Sequence, residues 1–456
     1  MTTVLETTGI PPPLESVAEL TVPLCFFDIM WLPFHPIRRL IFYNHPCTEE
    51  EFSTAVVPNL KHSLSLTLKH YLPVAGNLLY PLDTDKSQAL IRYVSGDTAP
   101  LTIAVSLRDF DEVTGSHARD SDQFYDFLPP MPPLVEEENY KIAPLIALQA
   151  TLFPGRGICI GLSNHHCLGD ARSVVGFVSA WAGTNKCGGD EHFKNGSTPP
   201  LFDRSVFGDM KGISDKLWST MRNVPLTPSR FPVPTNRVRA SFTLHQSDIK
   251  VLKDLVLSNK PGLVYISTFA VAAAHTWSAV VKSAAAAGEE VDEDGTEVIL
   301  IPADGRGRPN ALVDPPVPVN YFGNCLGGGA VTVEHKKLAA EEGFVAAAEA
   351  IADMIKNRVN NKENFLKDLD NWLSEMSKMV GLSTFGVSGS PKFDLSNADF
   401  GWGKARRLEV LSMDEEKYSM TLCNSPDSDG GLVVGTSLSE KRMEAFATIF
   451  EDGLKF

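Results

Sequence analysis

The run Gly157-Ile-Cys-Ile-Gly-Leu-Ser-Asn-His-His-Cys-Leu-Gly-Asp170 constrains this chain more than any other stretch. Its short, Ile-containing apolar half has the length and composition of a buried strand. The segment after it places Val174, Val175, Val178 and Trp181 at the spacing of an amphipathic helix. His165, His166 and Asp170 therefore sit on a strand-to-helix turn, where polar groups are held rigidly at the edge of a core. An imidazole there suits a general base, and the carboxylate of His166-x-x-x-Asp170 can orient it or brace the turn. Other readings share these residues. Either histidine can be a satisfied core residue, or the pair can be metal ligands. No Cys/His/Glu cluster at zinc spacing is nearby, however, and Cys167 stands alone, so no metal is expected. A serine nucleophile elbow does not fit, because Ser163 lacks the Gly-x-Ser-x-Gly flanks.

A second signature lies near the other end, at Asp399-Phe-Gly-Trp-Gly403, followed by Lys404, Arg406 and Arg407. Gly401 and Gly403 permit positive φ and close backbone approach, and Asp399 can accept the hydrogen bonds that fix the turn. Alone, this reads as a structural loop around a buried Trp402. A third segment, Asn320-Tyr-Phe-Gly-Asn-Cys325, is an aromatic turn ahead of an alternating apolar strand.

With these three segments in this order, the chain resembles the BAHD family of plant acyl-CoA-dependent acyltransferases over essentially its whole length. The Tyr-Phe-Gly-Asn-Cys version of the third segment is similar to the clade acting on flavonoid, anthocyanin and other phenolic glucosides, many of whose members use malonyl-CoA. The resemblance implies an α/β fold of two similar mixed-sheet domains, like chloramphenicol acetyltransferase, with an active-site tunnel between them. It implies His166 as general base. It also implies a structural Asp170 that points away from the base and pairs with an arginine, for which Arg306 of Ala303-Asp-Gly-Arg-Gly-Arg308 matches best. Asp399, Gly401, Trp402 and Gly403 would keep the tunnel in shape.

Composition narrows the partners. A net charge of −15 argues against nucleic acid or an anionic membrane, both of which demand a basic face. Phosphates of coenzyme A would have to be bound locally, by a few Arg, Lys and backbone N–H groups. The 7 cysteines, scattered without paired spacing, fit reduced thiols in the cytosol. Residues 1–20 carry three glutamates and three consecutive prolines, which does not read as a signal or transit peptide. The apolar stretch Leu263 to Ala287 includes Ser267, Thr268, His275, Ser278 and Lys282, so a buried core helix is expected rather than a membrane span. A monomer is expected.

Three regions are expected: an N-terminal domain over 1–217, a proline-rich crossover over 218–239, and a C-terminal domain over 240–456. In the first, Glu49 to Tyr71 reads as a helix, Leu90 to Val94 and Leu101 to Leu107 as strands, and Leu145 to Phe153 with Ile158 to Leu162 as paired buried strands. Asp109 to Pro133, acidic and proline-ended, reads as an irregular surface excursion. The prolines between Thr198 and Arg239 exclude a sheet core there. Further on, helices are expected at Ser247 to Leu257, Ser267 to Ala287, Ala339 to Val359, Phe365 to Met376 and Glu440 to Phe450. Strands are expected at Phe242 to Leu244, Val298 to Pro302, Gly329 to Val333, Leu408 to Leu411, Met420 to Leu422 and Leu432 to Val434.

The implied chemistry is O-acyl transfer from an acyl-CoA, as co-substrate and without another cofactor, to a sugar hydroxyl of a phenolic glucoside. Malonyl is the favoured acyl group and a hydroxycinnamoyl group the alternative; a thioester hydrolase and a non-catalytic small-molecule binder are the competing classes. The hydroxyl must lose a proton as it attacks, and an imidazole titrating near ~6.5 is largely neutral at cytosolic pH. Arg172 lies in the first turn of the helix after the motif, where the macrodipole disfavours a cation, so an anion is expected beside it: a malonyl carboxylate or a nearby acidic side chain. For coenzyme A, Ser267 and Thr268 at a helix start and Arg308 in the Gly-rich loop are the candidates, with ordinary capping and a solvated arginine as the alternatives.

Overall fold

Residues 146–164 form the hairpin expected around Pro154-Gly155. Strands Ile146–Phe153 and Gly157–Asn164 pair antiparallel, from Ile146 opposite Asn164 to Phe153 opposite Gly157. Both are buried along their whole length, which is why they read as apolar runs rather than alternating ones. The computed structural model describes residues 1–194, 198–208, 211–226, 230–309, 313–367, 372–426, 428 and 430–455.

The hairpin is the centre of a six-stranded mixed sheet in the order Thr2–Ile10, Ala99–Ser106, Ile146–Phe153, Gly157–Asn164, Ile37–Tyr43, Arg407–Val410. A seven-stranded mixed sheet runs Leu326–Glu334, Thr296–Asp304, Ser383–Ser388, Tyr418–Asn424, Leu432–Leu438, Val238–Leu244, Arg119–Asp120. A five-stranded antiparallel sheet built from Glu19–Pro23, Leu90–Val94, Asn77–Pro81, Tyr140–Pro144 and Val135–Glu136 completes the α/β architecture.

The two large sheets trade strands. Arg407–Val410, late in the chain, pairs with Ile37–Tyr43 of the first sheet, and Arg119–Asp120, early in the chain, pairs with Val238–Leu244 of the second. The traded segments meet in a buried ion cluster, where Glu409 accepts from Arg119 at 2.8 Å and from Arg239 at 3.0 Å. Such a cluster costs desolvation, and each charge in it depends on the others.

Helices cover each large sheet. Ala171–Cys187 and Val57–Leu68 bring Val174, Val178 and Trp181 together with Leu60, Leu64 and Leu68 in the first core. In the second, Thr268–Ala286 is buried along most of its length and carries Ala270, Ala272, Ala273 and Ala274, whose small side chains allow close packing. Ser267 caps it, its Oγ accepting from the Ala270 N–H at 3.1 Å.

Several expectations are refined. The helix expected over Glu49 to Tyr71 widens into a π-helical turn at Phe52–Val56, just before Pro58, which has no N–H to donate and would crowd the preceding turn. Asp109 to Pro133 is neither irregular nor a surface excursion: it holds the short helix Phe110–Thr114, the strand Arg119–Asp120 and the 3-10 helix Asp122–Phe127. Phe110, Phe124, Tyr125 and Phe127 are buried against Leu40, Phe42 and Phe153, and the acidic residues between them face outward. Between Thr198 and Arg239 the helix Lys211–Met221 buries Trp218 and Met221; the one β contact before the strand Val238–Leu244 is a single bridge from Leu201 to Tyr321 among the described residues. Of the helix expected over Phe365 to Met376, residues 368–371 lie outside the described residues, and Trp372–Ser377 is helical. The strands Thr2–Ile10, Ile37–Tyr43 and Ser383–Ser388 were not expected.

Candidate active site

The motif strand ends at Asn164, and the chain stays extended at His165 before one 3-10 turn, His166–Leu168. His165 turns its ring onto its own turn, with Nδ1 accepting from the Cys167 N–H at 3.2 Å. His166 lies flat on the indole of Trp31, centroids 4.0 Å apart and planes 9° apart, with Phe34 edge-on at 5.7 Å. Asn324 from the second half of the chain donates Nδ2–H to the His166 carbonyl at 3.0 Å. Burial lowers both rings to about 4; for His166 its own carbonyl and Asp170 pull the other way without prevailing. His166 is therefore neutral near pH 7, the state a proton acceptor requires.

Asp170 caps the motif helix, Oδ1 accepting from the Ser173 N–H at 3.1 Å. Arg306 grips the same carboxylate with both arms, at 2.8 and 3.1 Å, and the Cys325 N–H adds a third partner at 2.9 Å. Arg306 also donates to the carbonyls of Tyr321 and Gly323, each at 2.8 Å, and to Asp304 at 2.7 Å. The carboxylate is thus fully engaged, while the His166 Nδ1 is buried with no hydrogen-bond partner. Asp170 consequently does not orient the imidazole; it ties the turn that carries His166 to the segment 321–325. Gly323 makes the close approach possible, since at φ 148 a Cβ there would meet the Tyr321 hydroxyl at 2.6 Å and the Arg204 guanidinium at 2.7 Å.

A second brace was not visible in the sequence. Asp28, fully buried in the short helix Phe26–Ile29, accepts from the Arg204 Nε–H at 3.1 Å and from the Asn324 N–H and Nδ2–H at 3.1 and 3.0 Å. Asn324 thus joins Asp28 to the His166 backbone. Its place in Tyr-Phe-Gly-Asn-Cys was the one available signal; Asp28, Arg204, Trp31 and Phe34 carried none.

Asp399 folds its loop as the sequence suggests, Oδ1 accepting from the N–H groups of Gly401 and Gly403, both at 2.8 Å. Those glycines have φ of 94° and 85°, a region closed to most side chains. Trp402 stacks on His45 and Phe400, and Phe400 meets Trp181 edge-on. The loop reaches the end of the motif helix: Asn185 donates to the Phe400 carbonyl and Lys186 to Asp399, both at 2.7 Å. The two motifs therefore hold opposite ends of one 17-residue helix, roughly 25 Å apart at ~1.5 Å per residue. The loop lies far from His166.

Arg172 donates to Asp304 at 3.0 Å and to the Val319 carbonyl at 3.1 Å, and its guanidinium lies 5.5 Å from the centre of the Phe393 ring. Beyond the cap made by Ser267, Thr268 accepts from Lys253 at 2.8 Å, a cation at a helix start. Arg308 donates to the Asp304 carbonyl at 2.7 Å, turning toward Val359 and Asn360. Asp304 thus connects Arg172, Arg306 and Arg308, whereas Ser267 and Thr268 belong to another element. No group of His, Cys, Asp and Glu placed to hold a metal occurs among the described residues.

A transferase family model matches residues 1–453. The chain belongs to that family, the BAHD acyl-CoA-dependent acyltransferases. Among BAHD relatives, the malonyl-coenzyme:anthocyanin 5-O-glucoside-6'''-O-malonyltransferase of Salvia splendens is 53% identical over 453 residues, covering 98% of this chain and 95% of its own. Phenolic glucoside malonyltransferase 1 of Nicotiana tabacum is 41% identical, with both chains covered at 100%. The crystal structure of vinorine synthase superposes with a TM-score of 0.71 over 98% of this chain and 96% of its own; at 18% identity this likeness concerns the fold.

Proposed function

We propose that this protein transfers a malonyl group from malonyl-CoA to a sugar hydroxyl of a flavonoid, anthocyanin or other phenolic glucoside. The observation that carries it is the 53% identity, over nearly the full length of both chains, to an anthocyanin glucoside malonyltransferase. The half-buried, neutral His166 on its braced turn supplies the chemistry. The acceptor hydroxyl gives its proton to the His166 ring as its oxygen bonds to the thioester carbonyl carbon. The tetrahedral adduct then collapses, the C–S bond breaks, and the thiolate of coenzyme A takes the proton from the imidazolium. The indole face of Trp31 favours the imidazolium while it exists, which offsets part of the cost of charging a partly desolvated ring.

Donor and acceptor would approach His166 through a tunnel between the halves 1–217 and 240–456, because residues of both halves meet its turn, Trp31 and Phe34 at the ring and Asn324 at the backbone carbonyl. Two guanidinium groups are candidates for the donor carboxylate: Arg172, which would exchange Asp304 for it, and a second one considered below. Coenzyme A would use Arg308, Ser267 and Thr268. A reducing compartment such as the cytosol fits the 7 cysteines, all unpaired. No described helix is long and apolar enough to cross a membrane.

The test is thiol release from malonyl-CoA with and without a flavonoid glucoside. Release that requires the glucoside, with a malonylated product, is expected. Release without it would mean hydrolysis, and no release would mean binding alone. Faster turnover of coumaroyl-CoA than of malonyl-CoA would move the donor to the aromatic class.

A further inference from the structure

The turn around His166 carries more positive than negative side chains. Asp28 pairs with Arg204, Asp170 with Arg306, and Asp304 with both Arg306 and Arg172. A fourth guanidinium, Arg39, makes no hydrogen bond or ion pair among the described residues, and its Nη1 is buried without a partner. Arg39 stands on Ile37–Tyr43 opposite Leu162 of the motif strand. Directly opposed residues of an antiparallel pair share a face, and Leu162 packs in one cluster with Val174 and Val178 of the motif helix. Arg39 is therefore on the side of the sheet that carries the catalytic turn. The electrostatics agree: burial takes Arg39 down to about 10 against the pull of Asp170, and Arg39 adds to what keeps His166 low. The residue as a whole is only half-buried, so part of the side chain still meets solvent although Nη1 is closed off.

A cation held partly out of water with no partner is costly, and an anion arriving with the substrate compensates it. The malonyl carboxylate stands one methylene from the thioester carbonyl, so its partner must sit beside the residue that works on that carbonyl. The phosphates of coenzyme A lie a pantetheine arm away, and glucoside hydroxyls are neutral. We infer that Arg39 receives the free carboxylate of the acyl donor and sets the preference for malonyl over uncharged acyl groups. This rests on the malonyl-CoA reading above. Arg172 and Arg306, already neutralised by Asp304 and Asp170, hold the turn in place around it.

The experiment uses the full-length protein, one glucoside acceptor, and malonyl-CoA and acetyl-CoA as donors. Wild type, Arg39→Gln, Arg39→Met and Arg172→Gln are compared for the ratio of kcat/KM between the donors. Arg39→Gln should cut the malonyl-over-acetyl ratio roughly 10- to 150-fold, the value of a charge-assisted contact, chiefly through KM for malonyl-CoA. Substrate-free Arg39→Met should melt no lower than wild type, because an uncompensated charge has gone, and malonyl-CoA should raise its melting temperature less. Equal losses with both donors would assign Arg39 to the developing oxyanion and overturn the inference. So would a collapse of the ratio in Arg172→Gln but not in Arg39→Gln, or failure of both Arg39 variants to fold. A wild-type protein that transfers acetyl but not malonyl would sink the malonyl reading itself, an outcome distinct from these.

Discussion

Asp170 and Arg306, 136 positions apart in the sequence, face each other through two hydrogen bonds of 2.8 and 3.1 Å. Both side chains are essentially closed to solvent. This pair, rather than any contact with the imidazole, explains why an aspartate must follow the histidine at this spacing. Breaking one side leaves a buried charge without its counter-ion, at a cost of about 3–5 kcal/mol. Asp170→Asn should therefore lower the stability to denaturant by that order and reduce activity with it. In a double-mutant cycle with Arg306→Met, part of the loss should be recovered; strictly additive effects would mean the two residues are uncoupled.

His166→Ala should leave melting temperature and binding of coenzyme A close to wild type while transfer falls at least ~100-fold, the lower end of what a positioned general base contributes. Retention of more than about a tenth of the rate would show that another group takes the proton. His165→Ala acts on a different link. It removes the ring that accepts from the Cys167 N–H, so its effect should appear mainly in stability.

The pH dependence follows from burial. With His166 lowered to about 4 from its usual 6.5, the free enzyme keeps a neutral ring as pH falls through 6.5. The acid limb of kcat/KM should lie near pH 4. His165, His166 and His275 are all lowered to about 4, so unfolded chains take up protons first as pH falls below 6.5. Their contribution to stability is full above 6.5 and is lost on the way to 4. Brief assays after a pH jump separate the two effects. A limb centred near 6.5 in protein that is still folded would contradict a neutral, desolvated His166 as the proposed base.

Trp31→Leu removes the aromatic face beneath the imidazole. A cation over such a face gains roughly 0.5–2 kcal/mol, so kcat should fall by about 2- to 30-fold. The acid limb should move to still lower pH, since the imidazolium loses its support. A merely structural tryptophan would change stability without moving that limb.

Asp399→Ala should loosen the far end of the motif helix. The side chain is partly exposed, and its bonds to the Gly401 and Gly403 N–H groups and to Lys186 are together worth about 1–2 kcal/mol. Stability should drop by that order, and kcat far less than in His166→Ala. A loss of kcat comparable to His166→Ala, in folded protein, would place the loop in the chemistry.

What the sequence made legible was local. The motif strand, its turn and its helix are continuous in the chain, and their apolar spacing survives in the buried faces of Gly157–Asn164 and Ala171–Cys187. The strand Ile37–Tyr43 was not legible, because Pro33 and Pro36 precede it and Arg38 and Arg39 interrupt any apolar run. Its identity as a strand depends on partners at 157–164 and 407–410. The brace from Asp28 through Asn324 is hidden for the same reason, since 296 positions separate the two residues. The place of His166 on a strand-to-helix turn could be read from its own neighbours; the residues that hold it come from elsewhere in the chain.

The traded strands also bear on how the chain is made. During synthesis the first sheet emerges from the ribosome early, but its outer partner Arg407–Val410 follows only when about nine-tenths of the 456 residues have been joined. Until then Ile37–Tyr43, carrying Arg38 and Arg39, is a bare sheet edge open to unwanted pairing. Two arginines on that strand, one toward each face of the sheet, are a deterrent to such pairing, so they also guard the nascent half until its late partner arrives.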